Sequence, residues 1–214
     1  MSRVILLDDL VNIASITWGL LSFDLTKSNP DTGSTQVAVR GPMRRTCAIV
    51  SNEREEDPEV IAHWRALQHA MNGQVNRLAV WDFGNPEPRG TARGEWRTAA
   101  RVPAGASSML VEVSAGQNGR TLLIGDWIGV GQDSEGPGRQ LLHVQASTVV
   151  AGNQMAIEFA PPLRLSVAAG AAVVWDRPSC LMRRTTAEAS WKATPAVWAP
   201  FEGGHSLDLA ESWE

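Results

Sequence analysis

The chain has 214 residues, with 19 Lys and Arg against 23 Asp and Glu and a formal net charge of −4. That length buries a real core, as one larger domain or two small ones. The lack of a basic excess argues against nucleic-acid and anionic-membrane partners.

The opening text, "MSRVILLDDLVNIAS", has one Arg and four apolar residues before Asp8 and Asp9 interrupt, so it lacks the apolar core of a secretion signal. From Gly19 to Val50 the text reads as a meander: "LLSFDL", the turn cluster "KSNPDTGS", then "TQVAVR" and "CAIVS". Val37 and Val39 alternate with polar neighbours, the period of a half-buried strand. A helix is predicted over 57–71, with Asp57 as N-cap, Pro58 at its first position and Glu59 near the positive end of the dipole. Val60, Ile61, Trp64, Leu67 and Met71 make one apolar stripe, and Asn72-Gly73 supplies a left-handed stop. Burying that stripe contributes on the order of 2 kcal/mol per large side chain before entropy, which fixes the helix on a sheet. "NRLAVWDF" then reads as a strand buried on both faces.

"GNPEPRGTARGEW", Gly84 to Trp96, is a long loop or domain boundary. Beyond it "MLVEVS", "TLLIGDWIGVG", "RQLLHVQAST", "QMAIEFA" and "AAVVWD" are strands with no helix between them, which implies antiparallel pairing in a small barrel or sandwich. The longest apolar stretch, "SVAAGAAVVW", is about half of what a bilayer requires. The tail "GGHSLDLAESWE" alternates Leu207 and Leu209 with polar residues. A strand without a core of its own must join a sheet made earlier. The predicted organisation is a discontinuous first domain, 1–90 plus 178–214, with a small β-barrel domain at 91–177 inserted into it.

Chemistry-bearing motifs fail on spacing. In "LLIGDWIGVGQDSEGPGRQLLHV" the glycines suggest a phosphate loop, but Gly129-Val130-Gly131 lacks the third glycine and no Gly-Lys-Ser/Thr exists. The segment carries two acids, Asp133 and Glu135, and leads into a strand where a helix N-terminus is required. It reads as a loop, Gly131 to Arg139, between two antiparallel strands. Asp8/Asp9 and Glu55/Glu56 are neighbours without the facing separation of acid–base catalysis. Asp24 and Asp126 sit in apolar strand text and are candidates for burial, Asp126 more simply as a turn residue. His205, Ser206 and Asp208 lack the elbow of a nucleophile triad. His63 and His69 do not share a helix face, and Cys47 and Cys180 suit small core positions in a reducing compartment, so no metal is expected. Nine Trp with no Tyr serve a core, an interface or a sugar-stacking platform.

The order of "EEDPEVIAHWRALQHAMNGQVNRLAVWDF", the Pro/Gly linker, "LLIGDWIGV", "LLHV", "IEFAPPLRLSVAAGAAVVWDRPSCLMR" and the ending "HSLDLAESW" resembles the distal tail and related baseplate proteins of long, non-contractile-tailed bacteriophages. The resemblance spans nearly the full length on structural phrases such as "GDWI" and "PPLR". It implies a mainly β fold: a tail-tube-like β-sandwich or split-barrel domain with one α-helix, plus an inserted antiparallel β-barrel. It implies a non-enzymatic virion protein, assembled in the host cytoplasm and placed at the tail tip. There it forms a ring, commonly a hexamer, joining the tail tube protein to the hub and tape-measure proteins. No catalytic residue, cofactor, metal, specific nucleic acid or membrane is implied. A ring needs one face to meet a different face of its neighbour, and edge strands can be used up in such a contact. Trp96, Trp191 and Trp198, in loop-like text, and the acidic Asp133 and Glu135 are the candidate interface residues. The rival reading is a carbohydrate-binding β-sandwich module of a tail-associated protein.

Overall fold

The structure, a computed structural model, describes all residues except 1–2, 8–10, 53, 56, 190–200, 203–204 and 214, and the backbone alone at 54–55 and 201–202. In chain order the first elements are β1 (Val4–Leu6), β2 (Ser15–Leu21), β3 (Asp24–Ser28), β4 (Thr35–Val39), β5 (Arg44–Val50), β6 (Arg54–Glu55), α1 (Pro58–Met71) and β7 (Arg77–Val80). There follow β8 (Trp96–Thr98), β9 (Ser108–Val113), β10 (Thr121–Leu122), β11 (Trp127–Val130), β12 (Gln140–Val144), β13 (Thr148–Val149), β14 (Gln154–Ala160) and β15 (Ala172–Val174). The last three are β16 (Cys180–Arg184), β17 (Phe201–Glu202) and β18 (Ser206–Glu211). Among the described residues the fold is mainly β with one helix.

The helix begins and ends where its local chemistry places it. The Asp57 carboxylate accepts from the Glu59 amide at 2.9 Å, and Asn72 closes the other end with φ at 48°. Its buried face, Trp64, Leu67, Gln68 and Met71, packs on an open six-stranded sheet ordered β1-β7-β16-β18-β5-β2. The sheet supplies Cys47, Ile49, Leu78, Val80, Cys180, Met182, Leu207 and Leu209 to that core, each on alternate positions of its strand. β18 slots between β16 and β5, antiparallel to both, so the tail completes a sheet begun more than a hundred residues earlier. β1 pairs parallel with β7, at Val4↔Arg77 through Leu6↔Ala79.

All six strands of a closed antiparallel barrel, ordered β11-β12-β14-β9-β8-β15, lie between Trp96 and Val174. Strict alternation in β9 and β14 turns Met109, Val111, Val113, Met155, Ile157 and Phe159 inward. Two barrel residues, Leu141 and Trp127, instead pack into the core of the sheet. Trp127 donates its indole N–H to the Asp82 carboxylate at 3.0 Å and lies 6.2 Å from Trp18.

Three local expectations are corrected. "LLSFDL" is not one strand: it breaks between β2 and β3. β3 and β4 form a separate two-stranded ribbon, and Val37 and Val39 are 61% and 76% exposed where alternation predicted half-burial. Alternation marks a face that differs from its opposite, but it does not show that anything covers that face. "TLLIGDWIGVG" is likewise two strands, β10 and β11, parted by a turn at Leu123–Asp126 in which Gly125 has φ at 91°.

Candidate functional site

The glycine-rich segment is the loop between β11 and β12, whose antiparallel register runs from Trp127↔His143 to Val130↔Gln140. Gly131 starts it with φ at 61°, and a Cβ there would collide with the Gly138 carbonyl oxygen. The loop satisfies itself. The Ser134 amide donates to the Gly131 carbonyl, the Gly136 amide to Ser134 Oγ, and Arg139 Nε to the Ser134 carbonyl, at 2.9, 3.1 and 3.1 Å. Its root is tied to the start of β16, because the Gln132 amide side chain both accepts from the Ser179 N–H and donates to the Ser179 carbonyl. Asp133 and Glu135 stay exposed on the outside. Burial pushes the Arg139 guanidinium down from its ordinary range, and Asp133 partly offsets that. With the Ser134, Gly136 and Arg139 amides used internally and the Asp133 and Glu135 carboxylates outward, the loop is not built as a phosphate cradle.

The three candidate Trp residues fare differently. Trp96 lies inside the barrel at 2% exposure, its indole N–H on the Arg93 carbonyl at 3.1 Å, so it offers no surface to a neighbour. The loop reading failed because Trp96 opens β8, a three-residue strand that follows a turn-rich stretch. Trp191 and Trp198 lie outside the described residues. None of the seven described Trp residues is exposed.

The β3–β4 ribbon was not singled out by its sequence, yet it stands apart from both cores of the described residues. Every residue from 21 to 40 is exposed. Five paired positions, Asp24↔Val39 to Ser28↔Thr35, hold it, and the Asn29 amide donates to the Ser34 carbonyl across its tip. Leu25, Val37 and Val39 stand in solvent at 52%, 61% and 76% exposure. An isolated two-stranded ribbon is marginal in water. At its foot lies a groove of about 690 Å³ whose walls include Val39, Met43, Pro161, Pro162, Leu165 and Trp213.

The titratable groups singled out by the sequence are placed as follows. His205 is turned into the core, stacked on Trp64 at 5.6 Å with Gln68 Nε2 3.2 Å from its Nδ1, while Ser206 and Asp208 are exposed on the opposite side of β18. Burial, and secondarily Arg65, hold the His205 pKa below its ordinary value; burial and then Arg45 do the same at His143. Burial pushes the Cys47 thiol up to about 12, and Cys180 also moves up, so both are inert core thiols. Asp126 is buried as well as being a turn residue: its carboxylate accepts from the amides of Leu123, Arg89 and Gly90 at 2.8, 2.9 and 3.2 Å. Asp24 is exposed, and Asp8, Asp9, Glu55 and Glu56 have no described side chains. Among the described residues no group of three or more His, Cys, Asp and Glu lies close enough to hold a metal ion. Among the described residues no helix is long and apolar enough to cross a membrane. The sequence matches no protein-family model and no curated protein.

Proposed function

We propose that this protein is a structural component of a bacteriophage tail tip or baseplate, forming a ring that connects the tail tube to the hub and host-recognition apparatus. The observation that carries the reading is the β3–β4 ribbon: a two-sided, partly apolar arm left exposed by the described residues of its own chain. Such an arm is an aggregation hazard on a monomer and an asset in an assembly that buries it. The six-stranded sheet adds two ends, β1 and β2, each paired on one side alone. Different edges on opposite sides of one sheet suit head-to-tail contacts, which close into a ring when the rotation allows.

The carbohydrate-binding alternative needs an exposed aromatic platform, and no described Trp provides one. Sedimentation and negative-stain microscopy of the purified protein, with antibody labelling of tails, test the proposal. Rings or tail-tip labelling are expected. A protein that is strictly monomeric and also missing from tail tips overturns it.

A further inference from the structure

The two faces of the arm are not equivalent. In its antiparallel register Asp24 lies opposite Val39 and Thr26 opposite Val37, so these four share one face, while Leu25 with Ala38 and Lys27 with Gln36 share the other. The Arg40 amide donates to the Phe23 carbonyl at 2.8 Å, which carries the second face down to Phe23 and Arg40. Of the paired positions only Asp24 and Val39 line the groove at the arm's foot, and both belong to the first face. That face is a wall of the groove and cannot also fill it. The second face, with Leu25 at 52% and Phe23 at 39% exposure, is turned away from its own groove.

We propose that the groove receives the second face of the arm of another copy of this chain. The contact rests on the ring reading and names the surfaces by which copies meet. Because the arm's second face and the groove are different surfaces, the pairing is head-to-tail, the kind that closes into a ring instead of stopping at two copies.

Charge is distributed to match. The second face carries Lys27 and Arg40 and no acid. The groove has Asp24 on one wall, and Pro137 on the other belongs to the β11–β12 loop, which holds Asp133 and Glu135 outward. Arg164, the cation in the groove wall, is neutralised by Glu211 at 2.6 Å. None of Lys27, Arg40, Asp24, Asp133 and Glu135 makes an ion pair among the described residues. Opposite unpaired charges at the rim of an apolar contact orient the docking. The apolar parts correspond as well, Leu25 and Phe23 against Met43, Pro161, Pro162 and Leu165. The prolines fix the backbone of that wall, so less is lost in ordering it on contact.

Cross-linking tests this, since both native thiols are buried and an introduced one is the reactive group. Full-length Leu25→Cys and Leu165→Cys, both at exposed positions, are mixed and treated with a short bismaleimide. A covalent dimer is expected in the mixture and not from either variant alone. Adding Lys27→Gln and Arg40→Gln to the Leu25→Cys chain should lower its yield about five-fold, the loss of two rim charge contacts. No dimer in the mixture, the same yield with the exposed Val75→Cys as partner, a dimer from Leu25→Cys alone, or a yield indifferent to both cations overturns the contact. Rings or tail-tip labelling without a link between positions 25 and 165 overturn this contact while the ring reading stands; monomers missing from tail tips overturn both.

Discussion

Glu211 shows how one side chain can hold two parts of a molecule together. It sits on the last position of β18, 2% exposed, and its carboxylate joins Arg45 of the same sheet to Arg164 of the segment after β14. Removing one member of a buried ionic cluster leaves the others charged and unpaired, which costs about 3 to 5 kcal/mol. Glu211→Gln is therefore expected to lower unfolding stability by about 3 kcal/mol in urea denaturation; a change below about 0.5 kcal/mol, the scale of a surface substitution, contradicts the clamp. His205 makes a second prediction. Its folded pKa lies below the unfolded value of about 6.5, so as pH falls the unfolded chain takes up the proton first. Stability is thus unaffected above that value, declines as pH drops through and below it, and levels off beneath the folded pKa. His143 shifts the same way and adds to the decline. Urea midpoints between pH 7.5 and 5 should fall, and His205→Gln should flatten the fall; an unchanged slope in that variant rules out His205 as its source. Asp126 was readable as a turn residue because Gly125 precedes it. The amides of Arg89 and Gly90 that it accepts from lie some thirty-six positions away, beyond any local pattern.

Elements with short-range causes were legible. The helix was predictable from cap to stop because Asp57, Pro58, the 3.6-residue stripe and Asn72 act within a few residues of themselves. Asp57→Ala should cost about 1 kcal/mol of stability, the usual contribution of an N-cap, measured by urea unfolding; no measurable change would show that Pro58 and tertiary packing set the start without it. The barrel strands were legible because one face of each is dry. β1 was missed: three residues paired parallel to a strand seventy positions later carry no periodic signal. The arm was misjudged for the opposite reason, because its valines alternate as if a core lay beneath them.

At the scale of the whole molecule, the sheet is open at both ends, the barrel is closed, and the arm projects from the junction between β2 and β5. Closure removes edges from the barrel, so in the proposed assembly the contacts between copies fall to the sheet and arm. This separates folding from assembly in a way that can be measured. Leu25, Val37 and Val39 are more than half exposed, so replacing all three by Ser removes little burial within one copy, and each change should alter its stability by no more than about 0.5 kcal/mol. The same three changes strip the arm of the apolar surface a neighbour would cover, at roughly 25 cal/mol per Å² removed from water. The expected outcome is a triple variant with a wild-type urea midpoint under monomeric conditions but no rings by sedimentation and no incorporation into tails. Full assembly by the variant would show that the arm is not an intersubunit element. A large loss of monomer stability would mean instead that the arm packs within its own chain.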